Sequence, residues 1–438
     1  MQLPAPDYAL ECLRCGLRIE RDRMNVQCPE CGPAAFLRSD YGRAPLTLDG
    51  PVERFASYRA WLPFAMGLSL PPLGIACFRS EALARPLGLG ELWLLVSGYA
   101  PELGAELPSC TFKTLEAAGV MLRVLDQSDR MLIISSAGNA GCAVLEIGSS
   151  NDIPAIVIVP DSARETLWVS AEPGARAPLL ITLREASYPD AITMVGRMQA
   201  RFADDLVREG GAFNVARRDS MGVPVLRAVH AIGRIPDHYV QAVGSGTGGI
   251  AAHEAALRLA QSGSFEGGPM RLHLAQNRPF TPMVEAFERG LDDVEPMDGA
   301  EVRRRLAQTY TRVLANAAPP YAVRGGVRDV LGQSGGAMYA VDNDAARRAH
   351  DAIADAHGFD PYPEGGAAFA ALEQAVAAGR IAADETVLVH ITGAGWQRAA
   401  DDLGKRPYPV ALNAARDDDT AVAATIEAYL KAQGSAEP

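Results

Sequence analysis

From residue 113 onward, short apolar runs alternate with longer segments whose apolar positions recur every three or four residues. The runs Met131–Ser135, Ala155–Val159, Leu179–Thr182, Tyr239–Gly244, Arg271–Ala275 and Val387–Thr392 have the length and content of buried strands. The segments Thr114–Leu125, Ala191–Val207, Gly249–Gln261, Val302–Ala315 and Ala367–Ala378 carry the helical period. Buried strands separated by helices predict mostly parallel sheets covered on both faces, an α/β architecture. Upstream, Pro- and Gly-rich sequence from 41 to 110 predicts short strands and one helix around Ser57 to Phe64. Residues Asp417–Pro438 read as one amphipathic helix with a frayed end, and no internal repeat or low-complexity segment stands out.

Composition narrows the classes. A chain of 438 residues that is 48% hydrophobic and 21% charged is an ordinary globular protein, long enough for two or three domains. It has no apolar run of bilayer-spanning length, and its start, Met-Gln-Leu-Pro-Ala-Pro-Asp, lacks the segments of a signal peptide, so a cytoplasmic location with no membrane partner is expected. A net charge of −12 argues against a nucleic-acid partner, and any anion site must be built locally from arginines or backbone N–H groups.

Four of the seven cysteines, Cys12, Cys15, Cys28 and Cys31, form two CxxC knuckles, each followed by glycine. That spacing predicts a closed, tetrahedral, structural zinc site in a ribbon-like segment over residues 1–40. Four unconnected thiols or a disulfide pair are the alternatives. Arginines at 14, 18, 21 and 23 interleave with acidic residues, which favours a metal-stapled cap over a nucleic-acid-binding ribbon.

Of 41 basic side chains only three are lysines: Lys113, and Lys405 and Lys431 in a polar C-terminal stretch. Covalent capture of an aldehyde needs an amine that can lose its proton, which a guanidinium does not do. Lys113 ends Leu107-Pro108-Ser109-Cys110-Thr111-Phe112-Lys113 and heads a helical run. Partial desolvation beside Phe112 and the positive helix end both lower an amine pKa. Three glycine- or small-residue-rich turns follow strands. Gly244-Ser245-Gly246-Thr247-Gly248-Gly249 leads into a helix and suits a phosphate monoester. It lacks the Lys-Ser/Thr of a P-loop and the spacing of a dinucleotide fingerprint. Ser136-Ala137-Gly138-Asn139 would let a carboxylate approach the backbone and Ser136 hydroxyl, with the Asn139 amide available to a phenolic oxygen. Thr392 offers a neutral hydroxyl at the end of the last strand, suited to an unprotonated pyridine nitrogen. Each turn taken singly could also be a simple cap or turn.

Together these parts resemble the fold type II (tryptophan synthase β-like) pyridoxal phosphate enzymes, over nearly the whole chain. Within them the chain is similar to the threonine synthase group, and most of all to the cysteate synthases known from methanogens. The shared phrases are the N-terminal knuckles, Tyr58-x-x-Trp61-Leu62-Pro63, Asn214 to Gly222, Asp237 to Gly249 and Pro320 to Gly326. The resemblance implies open, mostly parallel sheets in two domains plus the zinc-ribbon-like segment. The large cofactor-binding domain is expected over 41–120 and 210–438, and a smaller mobile domain over 121–209. It implies pyridoxal 5′-phosphate on Lys113 beside Phe112, its phosphate on Gly244–Gly249, its O3′ at Asn139 and its ring nitrogen near Thr392, in a homodimer.

The reaction this resemblance implies is β-replacement on O-phospho-L-serine, with sulfite as nucleophile, through an aminoacrylate to L-cysteate and phosphate. Lys113 would serve as the base, an amino-acid phosphate ester and an anionic nucleophile being the small-molecule partners. Asn214, Arg217 and Arg218 are the candidates to hold the leaving phosphate, and Arg324 the second anion. Ordinary threonine synthases have Asp-Arg-Gly after the lysine, whereas this chain has Thr114-Leu115-Glu116. Threonine-forming γ-replacement on O-phosphohomoserine, another nucleophile in specialised metabolism, and a non-catalytic binding paralogue remain as alternatives.

Overall fold

A computed structural model of the protein describes residues 6–65 and 73–434. Two α/β layers and a small N-terminal ribbon make up the fold. The larger sheet runs Ala337–Val341, Arg271–Asn277, His238–Ala242, Thr386–Ile391, Glu91–Val96 and Ala76–Arg79 in spatial order. All its pairings are parallel except the last, Ala76–Arg79 against Glu91–Val96. Its central strands, such as Thr386–Ile391 and His238–Ala242, are buried at every residue. Helices on both faces cause this, and it explains why those strands read as continuous apolar runs and not as alternating ones.

The smaller sheet is wholly parallel, in the order Leu206–Arg208, Met131–Ser135, Ala155–Pro160, Leu179–Arg184, Leu412–Ala415. Its last strand differs from the expected division of the chain, which gave everything after 210 to the large domain. Leu412–Ala415 pairs with Ile181–Arg184, and the helix Asp419–Gly434 packs its Val422, Ala423 and Ile426 into the core of this smaller sheet. The C-terminal segment therefore belongs with residues 131–208. Lys405, at the crossing between the two layers, is likewise not a solvated residue of a polar tail. Its side chain is fully buried, 3.6 Å from the Glu146 carboxylate and 5.5 Å from the Trp396 ring centre.

Two helices end earlier than their period suggested. The segment expected over Ala191–Val207 is helical over Tyr188–Arg201, and Leu206–Arg208 turns into an edge strand paired with Met131–Ile133. The segment expected over Val302–Ala315 stops at Ala307. Just beyond, the N–H groups of Tyr310 and Thr311 donate to the side-chain oxygens of Asn343 and Asn277, at 2.9 and 3.0 Å. Side-chain acceptors thus replace the helical carbonyls. The helix near Ser57 is a 3-10 turn over Phe55–Trp61.

The ribbon consists of strands Ala9–Cys12, Arg18–Ile19 and Leu37–Asp40, antiparallel. Buried polar contacts bolt it to three helices. Arg123, on the helix Lys113–Gln127, grips Asp22 through two nitrogens at 2.8 and 2.7 Å. Asp219, on the helix Val215–Ile232, accepts from Ser39 and Tyr41 and pairs with Arg258, on the helix Thr247–Ser262. These are the helices whose N-terminal ends meet at the site.

Candidate active site

The strands of the larger sheet bring two of the expected turns to one place, beyond their carboxyl ends, where ligands settle in open α/β folds. Thr392 follows Ile391, and Gly244 follows Ala242 and Val243. Lys113 is the first residue of its helix, and its loop is zipped onto the Thr392 loop. The Phe112 N–H donates to the Thr392 carbonyl at 3.0 Å, and the Ala394 N–H to the Cys110 carbonyl at 3.0 Å. From the smaller sheet, the turn Ser136–Asn139 after Met131–Ser135 closes the other side. One cavity is lined by Lys113, Asn139, Gly244–Gly248, Arg217 and Thr392.

Glycine is required at two cup positions. Gly246 has φ +78°, and a Cβ there would stand 2.2 Å from Val327 Cγ2. At Gly248 a Cβ would meet the Gln241 amide nitrogen at 2.4 Å. The helix that starts at Thr247 leaves its first N–H groups without intrahelical acceptors, and Thr247 and Gly248 line the cavity. Gly249 lies one residue behind the lining, against Leu274. Beneath the cup runs a buried chain of hydrogen bonds from Gln241 through Tyr239 and His390 to Ser97. Burial drops His390 to about 3, so this chain is neutral.

Lys113 keeps 19% of its side chain exposed, and its Nζ donates to Glu116 Oε2 at 2.6 Å. Burial pulls its pKa below the usual lysine value, while Glu116 opposes the shift. The second Glu116 oxygen receives Arg217 Nη2 at 2.9 Å, and Arg217 also pairs with Glu209. Burial disfavours charge on Arg217, but the two carboxylates outweigh that and hold it protonated beyond the usual range. Its Nε is buried without a hydrogen-bond partner among the described residues.

Three expected anion binders lie elsewhere. Arg218 is fully buried on the opposite side of its helix, bonded to Glu254 at 3.0 Å and to the Leu37 and Ala212 carbonyls, with its guanidinium 4.7 Å from the Phe36 ring centre. Asn214 caps its own helix through the Ala216 N–H and accepts from Arg123 at 2.7 Å. Arg324 is half exposed beside the ribbon, where it bonds the Leu13 carbonyl and Asp329. Ser136 is in the cavity wall, yet its oxygen already accepts from the N–H groups of Gly138 and Gly141, at 3.0 and 2.8 Å.

Glu116, Glu209, Tyr188, Gln241, Tyr362 and Glu364 were not anticipated. For Glu116 a signal existed, since residues three apart share a helix face and Lys113 and Glu116 have that spacing. Glu364 lines the cavity with one carboxylate oxygen unpartnered, and burial raises its pKa to about 7. A carboxyl raised on folding costs stability as pH climbs above its unfolded value of 4.5, the cost levelling off above about 7. That difference corresponds to roughly 3 kcal/mol. In the cofactor-free protein, Glu364→Gln is therefore expected to gain stability at pH 8 and none near pH 4.5. Denaturant titrations at both pH values measure this, and parallel curves for the two proteins would refute the buried-carboxyl account.

At the ribbon tip, the sulfurs of Cys12, Cys15, Cys28 and Cys31 lie within 4.8 Å of one another, with Cys15 and Cys28 at 3.7 Å. Tetrahedral zinc with bonds of about 2.3 Å spaces its sulfurs about 3.8 Å apart, so the set fits a metal ion.

An amine at a helix head, a glycine-rich cup closed to side chains at Gly246 and Gly248, and a neutral hydroxyl in the same cavity define an enzyme working through a phosphorylated aldehyde cofactor. A family model described as pyridoxal-phosphate dependent enzyme matches residues 79–393. The cysteate synthase of Methanosphaerula palustris is 43% identical over 404 residues, covering 92% of this chain and 93% of that protein. The cysteate synthase of Methanosarcina acetivorans is 39% identical over 400 residues, covering 90% and 94%. The chain belongs to the pyridoxal-phosphate dependent enzyme family, in its cysteate synthase group. Among solved structures, a pyridoxal 5′-phosphate-dependent aspartate racemase superposes with a TM-score of 0.56 at 12% identity, over 73% of this chain and 91% of that one. Maize serine racemase gives 0.55 at 15% identity, over 75% and 92%. These confirm the fold. Among the described residues no helix is long and apolar enough to cross a membrane.

Proposed function

We propose that the protein makes L-cysteate by β-replacement on O-phospho-L-serine, with sulfite as nucleophile. The observation that carries this reading is Arg217, whose side chain lines the cavity that holds Lys113. A guanidinium kept charged by two carboxylates suits an anion beside the reacting carbon. O-Phosphoserine presents such an anion as it leaves, and sulfite presents one as it arrives.

When bound, pyridoxal phosphate supplies the electron sink that loosens the α-hydrogen of an amino acid. Lys113 would hold the cofactor and take the α-proton, and burial, which lowers the pKa of its amine, favours the neutral form that both roles need. The open N–H groups of the Gly244–Gly248 cup and the helix start at Thr247 hold the cofactor phosphate. Asn139 would donate to its O3′, and Thr392 would offer its hydroxyl to the ring nitrogen, both lining the same cavity. The Ser136–Asn139 backbone receives the substrate carboxylate. The four ribbon cysteines would hold a structural zinc ion, and the ribbon clamps the three helices in register.

The test follows the visible absorption of purified holoenzyme during additions of O-phospho-L-serine and then sulfite, with product mass and released phosphate measured. The expected result is a spectral change with the donor, reversal by sulfite, and one L-cysteate per phosphate. A response to O-phosphohomoserine alone, with threonine formed, would overturn the reading.

A further inference from the structure

Glu116 stands between the base and the anion site. One of its oxygens is 2.6 Å from Lys113 Nζ and the other is 2.9 Å from Arg217 Nη2, and the residue is 3% exposed. A pairing role alone accounts poorly for this placement. Once Lys113 is engaged elsewhere, Arg217 faces two carboxylates, Glu116 and Glu209, and the trio carries net negative charge where two anions must pass. A proton on Glu116 removes that repulsion.

The leaving group needs such a proton. Cleavage of the carbon–oxygen bond in a dianionic phosphate ester expels fully deprotonated phosphate, a poor leaving group, unless the bridging oxygen is protonated as it departs. Resting on the donor proposed above, we propose that Glu116 is a catalytic residue, the general acid that protonates the leaving phosphate with a proton received from Lys113. The α-carbon–hydrogen bond breaks and its proton goes to Lys113 Nζ. It passes over the 2.6 Å contact to Glu116. Rotation of the carboxyl, a soft terminal torsion, turns it toward Arg217. The carbon–oxygen bond breaks, its electron pair stays on the oxygen, and Glu116 gives that oxygen the proton, so hydrogen phosphate leaves. In the second half bisulfite delivers its proton to Glu116 as its sulfur bonds to the β-carbon. Glu116 passes that proton back over the same contact to Lys113, which delivers it to the α-carbon. One dianionic ester and one bisulfite become one cysteate and one hydrogen phosphate, with no proton left over.

The experiment compares wild-type and Glu116→Gln holoenzymes on two donors, O-phospho-L-serine and β-chloro-L-alanine, whose chloride leaves without a proton. General acids contribute about 10²–10⁴-fold. The expected result is a loss in kcat of at least about 100-fold with the phosphate ester and under about fivefold with the chloride. The loss on the ester should shrink below about pH 6, where the ester carries its own second proton. As a readout independent of turnover, the cofactor dissociation constant, from absorbance titration of the apo-protein, should change less than threefold. Equal losses on both donors, or a pH-independent loss, would overturn the acid role and leave Glu116 a positioning residue. A wild type inert to O-phospho-L-serine yet active on β-chloro-L-alanine would instead overturn the donor, and this role with it.

Discussion

Lys113→Ala should yield a folded protein that no longer links the cofactor covalently and has lost about 10³-fold or more of its turnover, the order expected when a covalent group that is also the base is deleted. The chain is well suited to a direct check. Borohydride reduction of the wild type should fix one cofactor mass on the peptide containing Lys113. The other lysines are poor competitors: Lys405 is sealed against Glu146 and Trp396, and Lys431 pairs with Glu427 on the C-terminal helix. Mass spectrometry of the reduced digest reads the result. Label on Lys405 or Lys431, or full activity in the variant, would refute the assignment.

The second large effect is on stability. Arg218 and Arg217 are sequence neighbours with opposite duties, because consecutive helical side chains point about 100° apart. Removal of the Arg218 guanidinium in Arg218→Ala leaves Glu254 buried without its ion pair, and the other Glu254 oxygen has no hydrogen-bond partner either. It also strips donors from the Leu37 and Ala212 carbonyls. Breaking one side of a buried pair costs roughly 3–5 kcal/mol. Denaturant unfolding should show a loss of that order, with the ribbon becoming protease-sensitive. Turnover per folded molecule should stay within tenfold, since Arg218 does not line the cavity. A variant as stable as wild type but inactive would return Arg218 to the substrate site.

What could be read from the sequence was whatever the chemistry restricts to few residue types. Lys113 stood out because lysine is so rare here, and the Gly244–Gly249 turn because four glycines crowd into six residues, one of them, Gly246, at a φ angle and clearance that exclude a side chain. The strand Met131–Ser135 was legible to the residue, being short, fully apolar in its interior and flanked by turns. Illegible were facts set by distant partners. Which of two adjacent arginines faces the cavity depends on where the ribbon docks, and Arg218 is held by Leu37, far away in sequence. Glu116 was noticed only as a departure from a motif, although its spacing from Lys113 already placed both on one helix face. Lys405 looked polar because its burial depends on Glu146 and Trp396 coming from separate layers. The end of the smaller domain was missed for the same reason, since a four-residue strand such as Leu412–Ala415 declares its sheet only by pairing.

That late strand also bears on how the protein is made. Until Leu412–Ala415 has left the ribosome, Leu179–Arg184 is an open sheet edge, with a row of unpaired N–H and carbonyl groups and an uncovered apolar face. The larger sheet must wait as well, because Glu91–Val96 pairs with Thr386–Ile391, nearly three hundred residues downstream. Neither layer can finish before these late strands emerge, so the nascent protein passes through a partly paired state that is open to association with other chains. The ribbon is the exception, having all its strands within the first forty residues.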